Sequence, residues 1–389
     1  MNKGQYVFSQ ILSLASSTSF RTCVNRYNGN YKAKHFTCWK QFLCMVFGQL
    51  TQRESLRDTM LCLTANADKL YHLGIGEAVS HSTLSTANEN RDWQIYADFA
   101  MVLIAEAKQL YVDEQGELEL NNQVFAIDAT VIDLCLSVFS WAKFRTTKGA
   151  IKLHTQLNVK TAIPEFIHIT TGNVHEVNVL DRICFQQDSF YVLDRGYTDF
   201  KKLFQIHKAG AYFIIRAKDN LNFTRIKSDT TAKSDQVLCD QVIRLTNYYA
   251  SHDYPQHLRR IKFFDAGTQK TFVFLSNNFT LKSTEIATLY RHRWKIEMFF
   301  KWIKQHLKIK SFWGTSSNAV KTQIWIAIST YVLVAIAKKK FNLKQSLYEI
   351  LQVLSISIFD KAPLPTLFEK PTQQNVNELF SSNQLNIFE

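Results

Sequence analysis

Three acids and a cluster of cations carry the chemistry that can be read from this sequence. In YRHRWKIEMFFKWIKQHLKIK, Tyr290 to Lys310, seven Lys and Arg surround a single acid, Glu297, for a net charge of +6. At about 100° per residue of helix, Tyr290, Arg293, Glu297, Lys301 and Lys304 share one face, while Leu289, Ile296, Phe299, Phe300, Ile303 and Leu307 fill an adjacent apolar arc. Such a face suits either of two jobs. Glu297 can pair with Arg293 or Lys301 four residues away, as on any solvated cationic helix. Alternatively, the lone carboxylate binds a metal ion and the cations neutralise the phosphates of a polyanion.

Two more acids follow runs of four apolar residues able to form buried strands: Asp128 after VFAI and Asp194 after FYVL. A carboxylate at the margin of a core is costly to ionise unless a cation or donors meet it. Either Asp alone also reads as a turn or helix-cap residue. Joined by helix-borne Glu297, two strand acids can converge on one point and hold Mg²⁺ through oxygen ligands. A pair of such ions activates an attacking water and stabilises a leaving oxygen in phosphoryl transfer.

The elements that must position these acids change in texture along the chain. Residues 1–80 are helical in pattern, with Gln41–Leu50 strongly apolar, and hold nine Lys and Arg against four acids. That suits a helical DNA-binding domain, or equally a helical cap on the main domain. Ser and Thr N-caps near His81 open a helix that runs to about Leu110 within a linker, 81–118. The acidic, Gly-containing DEQGELEL, Asp113 to Leu120, marks a boundary.

Short strands follow at Val124–Ile132, Ile151–Val159, Phe166–Thr171, Phe190–Leu193 and Tyr212–Arg216, with helices at Glu176–Gln187 and Thr198–Lys208, the latter stopped by Gly210. This predicts an α/β or α+β domain over 119–340, with a β-rich insertion at about 220–281 built on Gln236–Leu245, Leu258–Phe264 and Thr271–Leu275. Thr322–Ala337 lacks charges for 16 residues, too few to span a bilayer, and reads as a buried helix. Residues 341–389 form a C-terminal helix and a tail, loose after Pro371.

With 46% apolar and 20% charged residues the chain is globular rather than disordered. Forty-six Lys and Arg against 33 Asp and Glu leave +13, a polyanion-binding signal because it is clustered. Seven scattered Cys read as buried thiols in a reducing compartment. His35, Cys38 and Cys44 lack the paired spacing of a zinc site. MNKGQYVFSQ holds no apolar signal segment, so a cytoplasmic protein without a membrane partner is expected.

Tyr290, Arg293, Glu297 and Lys304 stand as Y-x2-R-x3-E-x6-K, which resembles the signature of the insertion-sequence-four family of bacterial DDE transposases. IDAT around Asp128 and LDRGYTD around Asp194 are similar to that family's other two acidic motifs. KLHT at 152–155, GNVHE at 172–176 and FIIRAK at 213–218 also fit, and SLRD at 55–58 and STLSTAN at 82–88 extend the likeness more weakly.

The resemblance implies an RNase H-like catalytic domain interrupted by β-strands. In it Asp128, Asp194 and Glu297 bind two Mg²⁺, or Mn²⁺ in their place, while Tyr290, Arg293 and Lys304 hold DNA; Lys301, on the same helix face, is read as a further DNA contact from its charge and position. It further implies double-stranded element ends and target DNA as partners, a homodimer on paired ends, and a cytoplasmic, nucleoid-associated bacterial location. Better-known members stack a flipped base on an aromatic of the insertion, often Trp, during hairpin formation. No Trp lies between residues 142 and 293 here, which leaves Phe223, Tyr248, Tyr249 or Tyr254 for that task. A DNA-binding protein without chemistry, and an RNase H-like nuclease that never joins strands, are the alternatives. Trp294 and Trp302, at the edge of the helix face, are readable as packing residues or DNA contacts.

Overall fold

The computed structural model describes residues 4–113, 120–145, 148–229, 236–307, 309 and 311–369. The N-terminal third is helical: α1 (Val7–Leu12), α2 (Ser17–Arg26), α3 (Cys38–Leu50), α4 (Leu56–Ala65), α5 (His81–Asn90) and α6 (Gln94–Leu110). Local sequence sets most of their starts. The side chains of Ser16, Thr37, Ser55 and Ser80 each accept a hydrogen bond from the backbone N–H three residues on, which satisfies a donor that the first helical turn leaves open. The single helix expected from His81 to Leu110 is two. At the break Arg91 turns extended and its guanidinium meets the Phe36 carbonyl and Gln41.

The strands are β1 (Val124–Leu134), β2 (Lys143–Arg145), β3 (Lys148–Asn158), β4 (Pro164–Thr171), β5 (Phe190–Leu193), β6 (Tyr212–Arg216), β7 (Phe223–Asp229), β8 (Val237–Leu245), β9 (Leu258–Asp265) and β10 (Lys270–Ser276). They form one sheet in the order β2-β3-β1-β5-β6-β10-β9-β8-β7, with β4 also on β3. β3 pairs antiparallel with β1 and β4, whereas β1, β5 and β6 run parallel. This mixed sheet fits an RNase H-like fold. The strands expected at about 220–281 continue the sheet, since β10 pairs antiparallel with β6. β7 was not expected because FTRIKSD lacks apolar alternation and is largely exposed.

Between the strands lie α7 (Phe200–Lys208) and α8 (Tyr248–Asp253). α7 is capped by Asp199 and ends at Gly210, whose φ of +68° costs glycine little. The helix expected at Glu176–Gln187 is instead a 3-10 segment, Glu176–Arg182; Val177 and Val179 are β-branched and Asn178 favours turns, so the α form has little local support. After the sheet come α9 (Ser283–Arg291), α10 (Trp294–His306), α11 (Ser317–Lys340) and α12 (Leu347–Ser357).

The period-two alternation of strands divides the core. Val124, Ala126, Phe190, Val192 and Ile214 face a thick layer that contains α9, α10, α11 and the helices of residues 7–110 in one continuous apolar cluster. Phe125, Ile127, Tyr191, Leu193, Phe213 and Ile215 face a thinner layer of the 3-10 segment, α7 and Tyr254. α11 is apolar all round and therefore needs cover on every side; 94% of its most apolar window is buried, against α3, α5, α6, α10 and α12. It is the one described helix long and apolar enough to cross a membrane. Asn318 at its start ties the α5–α6 break, donating to the Asn88 and Arg91 carbonyls and accepting from the Trp93 N–H. The N-terminus is pinned to the C-terminal segment by Val7 N–H to the Asp360 carbonyl and Phe8 N–H to that of Ile358.

Among the cysteines, Cys23, Cys38 and Cys44 are buried, but Cys135 and Cys184 are exposed, each in a segment just past a regular element. Most of the acidic break at Asp113–Leu120 and the tail beyond Pro371 lie outside the described residues.

Candidate active site

Parallel pairing of β1 with β5 matches Val124 to Phe190 and, residue by residue, Ile127 to Leu193. The next step of the same register sets Asp128 beside Asp194, where β5 has ended. Both acids fall on the face shared by Ala126 and Val192, the one covered by α9 and α10. Adjacent strands in a sheet lie about 4.8 Å apart, so two anionic groups meet here at the edge of the core. Asp128 Oδ1 accepts a hydrogen bond from the Ala129 N–H at 2.8 Å. Burial pushes the Asp128 carboxyl up to about 6; the Ala129 N–H and the Arg293 guanidinium oppose that rise, while Asp194 and Glu176 add to it. Asp194 Oδ1 accepts from the Tyr290 hydroxyl, a long bond at 3.4 Å.

The continuous helix expected from Tyr290 onward is interrupted at His292–Arg293. There the N–H groups of Arg293, Lys295 and Ile296 donate to carbonyls three residues back, a tighter winding than the α form. Tyr290 thus lies in the last turn of α9, Arg293 caps α10, and Glu297 sits in the first turn of α10, where the helix dipole favours an anion. Ile286 and Leu289 on α9, and Ile296, Phe299, Phe300, Ile303 and Leu307 from α10 onward, are buried in the thick layer, as the apolar arc required.

Arg293 joins the strand acids to the helix acid. Its Nη1 donates to Asp128 Oδ2 at 2.8 Å and its Nη2 to Glu297 Oε1 at 2.5 Å. The i,i+4 pairing of Glu297 with Arg293 is therefore present, and Asp128 shares the same guanidinium. Arg293 Nε is buried without an acceptor, and the guanidinium lies 5.8 Å from the Tyr290 ring centroid. Among the described residues no group of three or more His, Cys, Asp or Glu is gathered closely enough to hold a metal ion. The donor set itself suits one: three carboxylates, one within β1, one just past β5 and one on α10, are hard oxygen ligands of the kind Mg²⁺ takes.

Lys304 Nζ donates to the Val131 carbonyl of β1 at 2.8 Å, whereas Lys301 is exposed. The two tryptophans differ. Trp294 is 59% exposed beside exposed Met298, while Trp302 packs edge-on against Tyr331 with ring centroids 4.7 Å apart. The aromatics of the inserted strands also sort by burial. Tyr254 is buried with its hydroxyl 3.1 Å from His207 Nδ1, and Phe223 lies against Arg260; Tyr248 and Tyr249 are exposed on α8, ring centroids 5.4 Å apart.

One residue at the site was not singled out from the sequence. Glu176, the last residue of GNVHE, faces Lys152 of KLHT across 3.5 Å and lies by the turn after Asp194, its Oε2 3.7 Å from where a Cβ on Gly196 would stand. It makes a fourth carboxylate near Asp128. Its sequence signals were its place at the end of GNVHE, a stretch similar to the family's, and at the end of a strand-to-helix connection, where acids are common.

Residues 3–76 match a domain of unknown function. A putative transposase of Sinorhizobium fredii is 29% identical over 296 residues, covering 75% of this chain and 81% of that protein. A probable transposase for insertion sequence element IS5377 of Geobacillus stearothermophilus is 25% identical over 65% of this chain and 66% of its own length. A putative transposase for insertion sequence element IS4SA of Synechocystis is 26% identical over 66% and 72%. A solved piggyBac transposase synaptic complex with hairpin DNA aligns with 99% of this chain and 87% of that one at 12% identity and a TM-score of 0.46, a likeness too loose to argue from. Residues 120–333, more than half of the chain and the whole stretch that bears Asp128, Asp194 and Glu297, match the transposase DDE domain, and the protein belongs to the DDE transposase family.

Proposed function

We propose that this protein is the transposase of a bacterial insertion sequence of the insertion-sequence-four type, which cuts at its element's ends and joins the freed 3′-OH to target DNA. The observation that carries this reading is the in-register placement of Asp128 beside Asp194 with Glu297 brought to the same point from α10. The sequence relatives described as transposases of insertion elements support it.

Asp128, Asp194 and Glu297 are the catalytic carboxylates and the groups that hold two Mg²⁺, or Mn²⁺. Bound there, the ions supply activation of the attacking oxygen and stabilisation of the leaving one. The chain's own residues do the rest. Tyr290, Arg293, Lys301 and Lys304 line the approach to the carboxylates and hold the terminal phosphate and nearby backbone, guanidinium and ammonium supplying the charge. Water attacks the phosphodiester and releases a 3′-OH, which then attacks a phosphodiester of target DNA, or of the opposite strand where a hairpin forms. Tyr248 and Tyr249 are the inserted aromatics free to stack an extruded base, because Tyr254 and Phe223 are engaged.

The basic helices of residues 1–80 carry the preference for element ends, the linker 81–118 joins them to the catalytic region 119–340 with its strands at about 220–281, and residues 341–389 close the chain. Two copies act on paired ends in the bacterial cytoplasm, at the nucleoid.

Incubation of the purified protein with labelled element-end duplex tests the reading. Cutting with a new 3′-OH in Mg²⁺, joined products on adding target DNA, and binding without cutting in Ca²⁺ are expected. Binding with no cutting in any divalent ion reduces the protein to an end-binding factor, and cutting without joining to a nuclease.

A further inference from the structure

Arg293 bonds two of the carboxylates of this site at once, Asp128 and Glu297. Its two Nη groups are split between Asp128 on β1 and Glu297 on α10. The third donor, Nε, is buried without an acceptor. A planar guanidinium is built to grip one carboxylate or phosphate with two parallel hydrogen bonds; here it grips neither acid in that way. The residue stands at the junction of α9 and α10, ahead of the regular turns, so its side chain can leave without unwinding either helix.

We propose that Arg293 is a resident counter-cation: it neutralises Asp128 and Glu297 in the metal-free protein, competes with divalent ions for them, and is released toward a DNA phosphate when they bind. The inference rests on reading Asp128, Asp194 and Glu297 as the metal-holding set. Like charges a few ångströms apart repel, so the guanidinium and a divalent ion cannot both sit between the same two acids. Apparent metal affinity is then reduced by the fraction of molecules in which Arg293 occupies the carboxylates. Reciprocity follows: whatever favours the released guanidinium, a bound phosphate above all, tightens the metal, and the metal tightens the phosphate.

The experiment is calorimetric titration of the full chain with Mn²⁺ without DNA, on the parent, Arg293→Gln, Arg293→Lys, Lys301→Gln and Asp128→Asn. Arg293→Gln should bind Mn²⁺ about tenfold more tightly than the parent and melt at a lower temperature when metal-free, with Mn²⁺ restoring more of its stability than of the parent's. Arg293→Lys should fall between, since one ammonium cannot match both acids, and it carries the comparison should Arg293→Gln not fold. Lys301→Gln removes a charge from the same helix without a carboxylate contact and should shift affinity less than twofold. On duplex DNA, Ca²⁺ should strengthen binding by the parent more than by Arg293→Gln. Affinities of the parent and the Arg293 variants within twofold of one another, or an equal gain in Lys301→Gln, overturn the proposal, as does failure of both the parent and Arg293→Gln to take up Mn²⁺. Loss of Mn²⁺ in Asp128→Asn alongside unchanged Arg293 variants spares the carboxylate site and removes only the competition; intact binding in Asp128→Asn removes the site itself.

Discussion

Arg259 and Arg293 each hydrogen-bond an aspartate of this sheet, and they differ in how completely. Arg259 on β9 meets Asp240 on β8 with Nε 3.0 Å from Oδ1 and Nη2 2.6 Å from Oδ2, while Nη1 donates to the Leu281 carbonyl and the Ser283 hydroxyl donates to Asp240. Both side chains are almost fully buried, and the network ties the inserted strands to the start of α9. Arg293 has the same chemistry but divides it between two acids and leaves Nε without a partner. A saturated buried pair is a fastener, because removing either half strands a charge in a low-dielectric setting. A divided, partly exposed one keeps its charges available to a ligand, and perturbed, incompletely satisfied groups in such places mark functional sites.

The strongest way to break this contrast is at the acids themselves. Asp128→Ala, Asp194→Ala and Glu297→Ala should each lower cleavage by about 10³-fold or more while duplex affinity, measured by gel shift on the same preparations, changes little, since affinity comes mainly from backbone phosphate contacts. Substantial cutting by any of the three removes that residue from the site. Next is stability. Arg259→Ala should reduce the unfolding free energy in urea by about 3–5 kcal/mol by stranding Asp240, and Arg293→Ala by about 1 kcal/mol or less, since water reaches Glu297. Equal losses would show that the two arginines are the same kind of feature.

The pH dependence sharpens the site's half of the comparison. Asp128 is pushed from 3.8 up to about 6 chiefly by burial. A carboxyl whose folded value lies above its unfolded one favours the fold most below the unfolded value, and this contribution is lost as pH rises through the folded value. In buffer free of divalent ions, the parent should therefore lose about 2 kcal/mol relative to Asp128→Asn between pH 4 and pH 6. A constant difference over that range would mean that Arg293 already neutralises the burial cost. The smallest effect belongs to exposed Lys301: Lys301→Ala should lower the slope of log affinity against log salt by about 0.9 for one lost phosphate contact, with cleavage at saturating DNA unchanged.

Much of the site was legible in the sequence because its parts are local. Four apolar residues followed by an acid describe a buried strand that carries a carboxylate to the margin of the core, and the structure has Asp128 within β1 and Asp194 directly after β5. The apolar arc from Leu289 to Leu307 likewise announced a seated helix. The break at His292–Arg293 was not legible, since no Pro or Gly marks it and each residue there is compatible with the α form. Nor was Glu176, an acid whose significance comes from lying over the turn after Asp194. The 3-10 form of Glu176–Arg182 was hidden because the run is short enough for packing to override weak propensities.

The sequence by itself therefore determined which residue types could act: two acids that follow apolar strand runs, one helix acid among cations, and a basic composition, all fixed by side-chain chemistry and periodicity over a few residues. The tertiary structure decided the pairings. The parallel register of β1 and β5 brings Asp128 and Asp194, far apart in the chain, to neighbouring positions, and the packing of α10 on β1 gives Arg293 to Asp128 as well as to its own Glu297. Only long-range packing could make that choice, because at four residues' distance Glu297 offered Arg293 a partner and Asp128, 165 residues away, became available to the same guanidinium only once the sheet and the helix were joined through the core.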